Sequence, residues 1–158
     1  MKYEIDGNII SNAHRKVIHQ LVDFFEKQNL LYQFTGGFSS NLFGSVWKLQ
    51  DIDIETDLKS LYKIQEALKP YVIKEIHRYS DEEFQIWLLQ LQVENIKIDI
   101  NAVEDFIIKP NLKIETKIEN AILVLFDNRL VRTQSLEDII KYKKLLNRHK
   151  DLEELTKL

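Results

Sequence analysis

The sequence predicts an α+β or mixed α/β domain built around one sheet. Apolar residues recur at helical spacing near both ends, and they alternate with period two in several segments between. Helical and extended segments interleave at first and then give way to a run of strands, the pattern of helices packed on a sheet. A chain of 158 residues is long enough to bury a core without covalent staples, so residues 1–158 are read as one domain.

The first helix is expected over residues 11–29, with Val17, Ile18, Leu21, Val22 and Phe25 on one face and Ser11 or Asn12 as its cap. "LLYQF" reads as a short buried strand running into Gly36 and Gly37. "FSSNLFG" reads as a brief helix whose backbone donors face the glycine turn. "QDIDIE" alternates charge with isoleucine, the period of a strand. "TDLKSLYKIQEALKP" is a second full helix, capped by Thr56 or Asp57 and stopped before Pro70, with Leu58, Leu61, Ile64 and Leu68 on one side.

Three strands follow in "YVIKEIHRY", "EFQIWLLQLQV" and "IKIDINAV", the last two joined by a tight turn near Glu94 and Asn95. "AILVLF" and "LVRTQ" are further strand candidates around a turn at Asp127 and Asn128. Ser135 and Asp138 resemble a capping box for "SLEDIIKYKKLL", and "RHKDLEELTKL" reads as a last short helix. The C-terminal helices, from about 135, are expected to pack on the domain.

The absence of cysteine excludes disulfides, thiolate nucleophiles and Cys-based zinc sites. A net charge of -3 and the lack of any separate basic segment argue against a nucleic acid partner. No segment approaches the roughly 20 apolar residues of a membrane span, and "MKYEIDGNIISNAHRK" has no signal-peptide pattern, so the expected location is the cytoplasm and no membrane partner is foreseen. His14, His19, His77 and His149 show no zinc-hydrolase spacing and are read as surface or packing histidines.

Chemistry concentrates in "TGGFSSNLFGSVWKLQDIDIE", residues 35–55. Asp51 and Asp53 lie two apart on a strand, so their Cα atoms are about 6.6 Å apart on one face. Like charges so placed repel each other, and a divalent cation compensates them. Oxygen ligands without Cys or His suit a hard ion such as Mg²⁺, bound through carboxylates and substrate phosphates. Asp99, in "IKIDINAV", supplies a third carboxylate if its strand lies beside "DIDIE". Taken alone, such alternation is the wet face of an exposed strand, and Gly36-Gly37 alone is a turn. Their order, with thirteen residues from Phe38 to Gln50 between them, is what singles out a site.

A glycine pair, a gap of about a dozen residues and then "DIDIE" resembles the signature of the nucleotidyltransferase superfamily, whose fold is like that of DNA polymerase β. The chain length, the N-terminal helix and the late "SLEDIIKYKKLLNRHKDLEEL" are similar to small lincosamide and aminoglycoside nucleotidyltransferases and to minimal bacterial nucleotidyltransferases. The likeness runs from about residue 12 to 158 and is poorest over 103–132. It implies that Gly36 and Gly37 approach a nucleoside triphosphate and that Ser39 or Ser40 donates to phosphate. Asp51 and Asp53 would ligate Mg²⁺. Asp99 would be a ligand of a second metal or the base for an acceptor hydroxyl. Lys143 best fits the family's late lysine, with Lys141 and Lys144 as alternatives of register.

The resemblance implies transfer of a nucleoside monophosphate, AMP from ATP, to a hydroxyl of a small molecule or protein, with release of pyrophosphate. A homodimer is expected by analogy only. Relatives carry a basic residue and a Thr or His just before the aspartates, whereas this chain reads "VWKLQ", with Lys48 the one cation there. Two rival readings are a toxin–antitoxin type nucleotidyltransferase acting on a partner protein or tRNA, and a nucleotide-binding module without turnover.

Overall fold

A computed structural model describes residues 5–158. The first four residues of the stretch in which no signal peptide was read, and the side chain of His149, lie outside what is described. Five α-helices and nine strands are present among the described residues. In chain order they are α1 (Asn12–Lys27), β1 (Tyr32–Thr35), α2 (Gly36–Leu42), β2 (Ile52–Thr56), α3 (Leu58–Ala67), β3 (Val72–Ser80), β4 (Phe84–Val93) and β5 (Ile96–Ala102). Then come β6 (Phe106–Ile108), β7 (Leu112–Ile114), β8 (Ile122–Phe126), β9 (Arg129–Thr133), α4 (Leu136–Leu145) and α5 (His149–Leu155).

All nine strands join one mixed sheet in the order β7-β6-β4-β5-β2-β1-β9-β8, with β3 also pairing β4. The fold is α+β, as expected. β2 runs parallel to β5 and antiparallel to β1. The helix starts follow the capping residues read from the sequence: the Ser11, Asp57 and Ser135 side chains accept from His14 N, Ser60 N and Asp138 N respectively. The hairpin turns at Glu94 and at Asp127-Asn128 hold these residues at positive φ, a conformation that, glycine aside, suits the Asp and Asn of the second turn best.

The sheet has two chemically distinct faces because each strand alternates. On one face Phe34, Ile52, Ile54, Ile98, Ile100, Leu89 and Leu91 are fully buried beneath α1 and α3. Phe25 of α1 stacks on Tyr32 at 4.5 Å, and Phe34 meets Phe38 of α2 edge-on at 4.8 Å. Each buried isoleucine of β2 and β5 (Ile52, Ile54, Ile96, Ile98 and Ile100) is worth about 1.5–3 kcal/mol, and a slip of one residue would turn all five outward. That core fixes the register, and the register dictates which polar residues share the opposite face.

Over the opposite face lies α4. Its Tyr142, with Leu146 just past its end, packs on a smaller apolar cluster of Ile86, Leu88, Phe106 and Ile108. No helix of the described residues is long and apolar enough to cross a membrane.

Candidate active site

Two rows of side chains cross the polar face of the sheet, set by strand register. The first runs Thr35, Asp53, Asp99, Gln90 across β1, β2, β5 and β4. The second runs Gln33, Glu55, Asn101 across β1, β2 and β5. The expectation that Asp99 lies beside "DIDIE" is therefore met directly: Asp53 and Asp99 are opposite one another on adjacent parallel strands. Neighbouring strands are about 4.8 Å apart, so two carboxylates so placed cannot both ionise without cost unless a cation joins them.

The electrostatics reflect this crowding. Burial, then the Asp99 carboxylate, then that of Asp51 push the Asp53 carboxyl up to about 7, against a smaller opposing pull from Lys143. Gln90 Nε2 donates to Asp99 Oδ1 at 3.0 Å and so orients that carboxylate. In the second row Glu55 accepts from Gln33 Nε2 at 2.9 Å and from Asn101 Nδ2 at 3.2 Å. Burial raises the Glu55 carboxyl above its usual range, and the two amide donors pull it back.

Asp51 departs from the expected position. It lies in the exposed bend before β2, not on the strand. The reason is the length of β1: its last residue, Thr35, is opposite Asp53, and the chain then turns into α2, leaving Asp51 without a strand to pair with on that side. Among the described residues no three acidic or imidazole side chains converge into a ready metal cage. What the fold brings together is the Asp53–Asp99 pair, with Asp51 near enough to act on Asp53 electrostatically.

That donor set suits a divalent cation. Two hard carboxylate oxygens are crowded together, and one is driven toward neutrality for want of a counter-charge. Mg²⁺ needs only one or two protein carboxylates when substrate phosphates complete its shell.

Gly36 is packed on this pair. It sits at φ +61°, and a Cβ there would fall inside van der Waals contact of Asp53 Oδ2 and 3.0 Å from Asp53 Cγ. The helix begins at the two glycines themselves, earlier than "FSSNLFG" suggested, so the turn and the first turn of α2 are one unit. Gly37 is less constrained, its added Cβ reaching only Leu49 Cδ1 at 3.4 Å.

Ser39 does structural work. Ser39 is fully buried, donates to the Phe34 carbonyl at 2.6 Å and lies 2.6 Å from Thr133 Oγ1. Its hydroxyl ties α2 to β1 and β9, which corrects the expectation that it donates to phosphate. Ser40 is also buried, at 2% exposure. Replacing Ser39 by Ala should cost about 1–2 kcal/mol of stability through the lost buried hydrogen bonds. Nucleotide affinity should survive that change, which paired thermal melts and binding titrations would check.

Of the three late lysines, Lys143 lines the cleft and pairs with Asp151 at 2.9 Å, while Lys141 and Lys144 are exposed. Trp87 packs in the sheet beneath Arg78, whose guanidinium is 5.3 Å from the ring, and its Nε1 donates to Asp105. Trp47 is partly exposed on the loop before Asp51.

A cleft of about 390 Å³ opens over both rows. Its floor holds Thr35, Gly36, Asp53, Glu55, Asp99 and Gln90, and α4 forms its roof with Ile139, Tyr142, Lys143 and Leu146. Sequence reasoning missed the Glu55 row, Gln90 and the apolar wall of Phe84, Ile86, Leu88 and Phe106. Extending the alternation of "DIDIE" by one step places Glu55 beside Asp53, so that signal was present. The amides of Gln33 and Asn101 carry no spacing signature, and they join Glu55 only through long-range pairing.

Fold and site together define a class. A carboxylate pair in register on adjacent parallel strands, backed by a glycine turn at the head of a short helix, is the arrangement of a nucleotidyltransferase. Residues 17–156 match the family described as aminoglycoside-2''-adenylyltransferase, and the chain belongs to that family. Among solved structures it is similar to TM1012 of Thermotoga maritima, described as a candidate nucleotidyltransferase, with a TM-score of 0.78 over 95% of this chain and 94% of that one at 22% identity. It is also similar to ANT(2'')-Ia, solved in complex with adenylyl-2''-tobramycin, with a TM-score of 0.62 over 91% and 87% of the two chains at 16% identity. At these identities the likeness to solved structures concerns the fold alone. No curated protein matches the sequence.

Proposed function

We propose that the protein transfers AMP from ATP, bound with Mg²⁺, to a hydroxyl of a small-molecule acceptor and releases pyrophosphate. The observation that carries this reading is the Asp53–Asp99 pair in register with Gly36 packed against it. The family to which the chain belongs supports adenylyl transfer as the reaction.

Asp53 and Asp99 would hold the metal, with Asp51 adding negative charge from the bend. Bound there, Mg²⁺ supplies charge neutralisation at the phosphates. Gly36, lacking a side chain, lets the backbone of the turn approach the triphosphate on the β1 side of Asp53. Lys143, reaching into the cleft from α4, neutralises phosphate charge. Gln90 fixes one oxygen of Asp99 and so orients the other, which would either ligate the metal or, with Asp53 holding it, take the proton of the acceptor hydroxyl. The apolar underside of α4 limits access of bulk water to the reacting centre.

Calorimetric titration with ATP, GTP, CTP and UTP, with and without Mg²⁺, tests the reading. Mg²⁺-dependent binding of ATP, followed by pyrophosphate release in the presence of an acceptor, supports it, and absence of any Mg²⁺-dependent triphosphate binding overturns it. Lys143→Met should weaken triphosphate binding about tenfold or more, the scale of one charge-assisted contact, without unfolding the protein.

A further inference from the structure

The first row of the cleft floor does not end at Thr35. β9 runs parallel to β1 with Thr133 opposite Phe34, and the next N–H, that of Gln134, donates to the Phe34 carbonyl at 3.0 Å. Successive side chains of a strand point to opposite faces, so Gln134 falls beside Thr35, on the face that carries Asp53 and Asp99. From β9 to β4 the row therefore reads Gln134, Thr35, Asp53, Asp99, Gln90, and all of these residues line the cleft.

Gln134 differs from the other amides of the two rows. Gln33 and Asn101 hold Glu55, and Gln90 holds Asp99. Gln134 is only 6% exposed, with the N-cap of α4 directly after it, yet its carboxamide makes no hydrogen bond to any described residue. A primary amide carries two donor hydrogens and an acceptor oxygen, and burying them unpaired is unfavourable in the free protein. Such a group is accounted for when a ligand supplies its partner.

The position in the row decides which part of the ligand that is. The phosphorus that reacts lies at the Asp53–Asp99 pair. With the triphosphate on the β1 side of Asp53, its two outer phosphates extend over Thr35, away from Asp99, and the nucleoside leads off in the other direction. Gln134 is two strands from Asp53, about 10 Å between Cα atoms, a span that two phosphates and a glutamine side chain cover together. Lys143 meets phosphate charge from the roof, and the amide meets it from the floor. A neutral donor suits that place, because an ammonium group left unpaired in a closed cleft costs far more than an amide.

We propose that Gln134 binds the outer two phosphates of the nucleotide, its Nε2 donating to their oxygens, and so also holds the pyrophosphate before it leaves. The proposal rests on the adenylyl-transfer reading above.

The test titrates the full chain and its Gln134→Met variant, which keeps the length of the side chain without its amide, with Mg²⁺-ATP, Mg²⁺-pyrophosphate and AMP. The substitution should weaken ATP and pyrophosphate about tenfold or more, the scale of a hydrogen bond to a charged group, and leave AMP within about twofold. Without ligand the variant should melt as high as the unaltered protein or higher, because an unpaired buried amide has been removed. Unchanged ATP affinity overturns the proposal. So does AMP weakened as much as ATP, because the amide would then face the nucleoside. A free variant that melts several degrees lower overturns it too, because the amide would then have a partner within the fold. If the unaltered protein shows no Mg²⁺-dependent ATP binding, the adenylyl-transfer reading itself fails, so the two failures are distinct.

Discussion

Asp53→Asn should abolish Mg²⁺-dependent transfer, lowering kcat/KM by roughly 10³-fold or more, the scale of losing a group that stabilises transition-state charge. The same variant, in the absence of metal, should be more stable than the unaltered protein at neutral pH. The two effects share one cause. Burial and the neighbouring Asp99 and Asp51 carboxylates raise Asp53 from an ordinary 3.8 to about 7. A carboxyl raised on folding contributes stability that is fully present below its unfolded value and is lost as pH rises through its folded value. Between pH 4 and 7 the native state holds a proton that the unfolded chain has released, so stability falls with rising pH by an amount on the order of 3 kcal/mol.

Asparagine carries no charge at any pH and escapes that loss. Melts of the two proteins in EDTA should therefore converge near pH 4, draw apart as pH rises to 7 and stay apart above it, with the variant higher by several degrees. Added Mg²⁺ and ATP should raise only the unaltered protein. Parallel pH profiles would show that Asp53 is not strained by its neighbours, and activity retained in the variant would remove it from the reaction.

Much of the fold follows from local signals. α1 and α3 declare themselves through apolar spacing and a capping side chain, and β4 and β5 through alternation around a tight turn. "DIDIE" also specified its own two faces, since the isoleucines of β2 had to point into the core for the aspartate to face the cleft. Two errors have the same origin: both depend on where a distant partner strand ends. Asp51 was expected on the strand but lies in the bend, because β1 turns into α2 at the level of Asp53. β6 and β7, three residues each, were not read at all within the poorly legible 103–132 stretch, because three residues establish no period and they exist only by pairing with β4 and with each other.

The candidate site divides along the same line. The glycine pair and the acidic residues have spacing and order, which a sequence displays. The apolar wall does not, because Phe84, Leu88 and Phe106 look like ordinary core residues until the register of β4 against β6 and the position of α4 are known. Ser39, one of the two serines expected to face phosphate, bonds within the fold for a related reason. A hydroxyl next to a glycine turn suggests a ligand, but its partners, Phe34 and Thr133, come from β1 and from a strand 94 positions later.

Gly36→Ala should be the most damaging single-methyl change in the protein. Two costs combine. The left-handed φ of +61° disfavours any residue with a Cβ, by roughly 1–2 kcal/mol. The new methyl would also press on Asp53 Oδ2, with Asp53 Cγ at 3.0 Å and its Cβ at 3.1 Å, and Asp53 has Asp99 on its other side. Either the turn opens or the carboxylate swings away, and both outcomes disperse the Asp53–Asp99 pair. Mg²⁺-dependent triphosphate binding should therefore be lost, with a stability cost on the order of 2–4 kcal/mol from conformational strain and overpacking together. Gly37→Ala is the internal comparison, because its Cβ meets only Leu49 at an ordinary 3.4 Å, and it should leave stability nearly unchanged. The decisive form of the experiment is a double-mutant cycle. With Asp53 trimmed to Ala, the methyl at position 36 has nothing to strike, so Gly36→Ala should cost about 1 kcal/mol less in that background than in the unaltered protein. Strict additivity would mean that backbone strain alone penalises the substitution and that the close approach of the turn to Asp53 carries no energy.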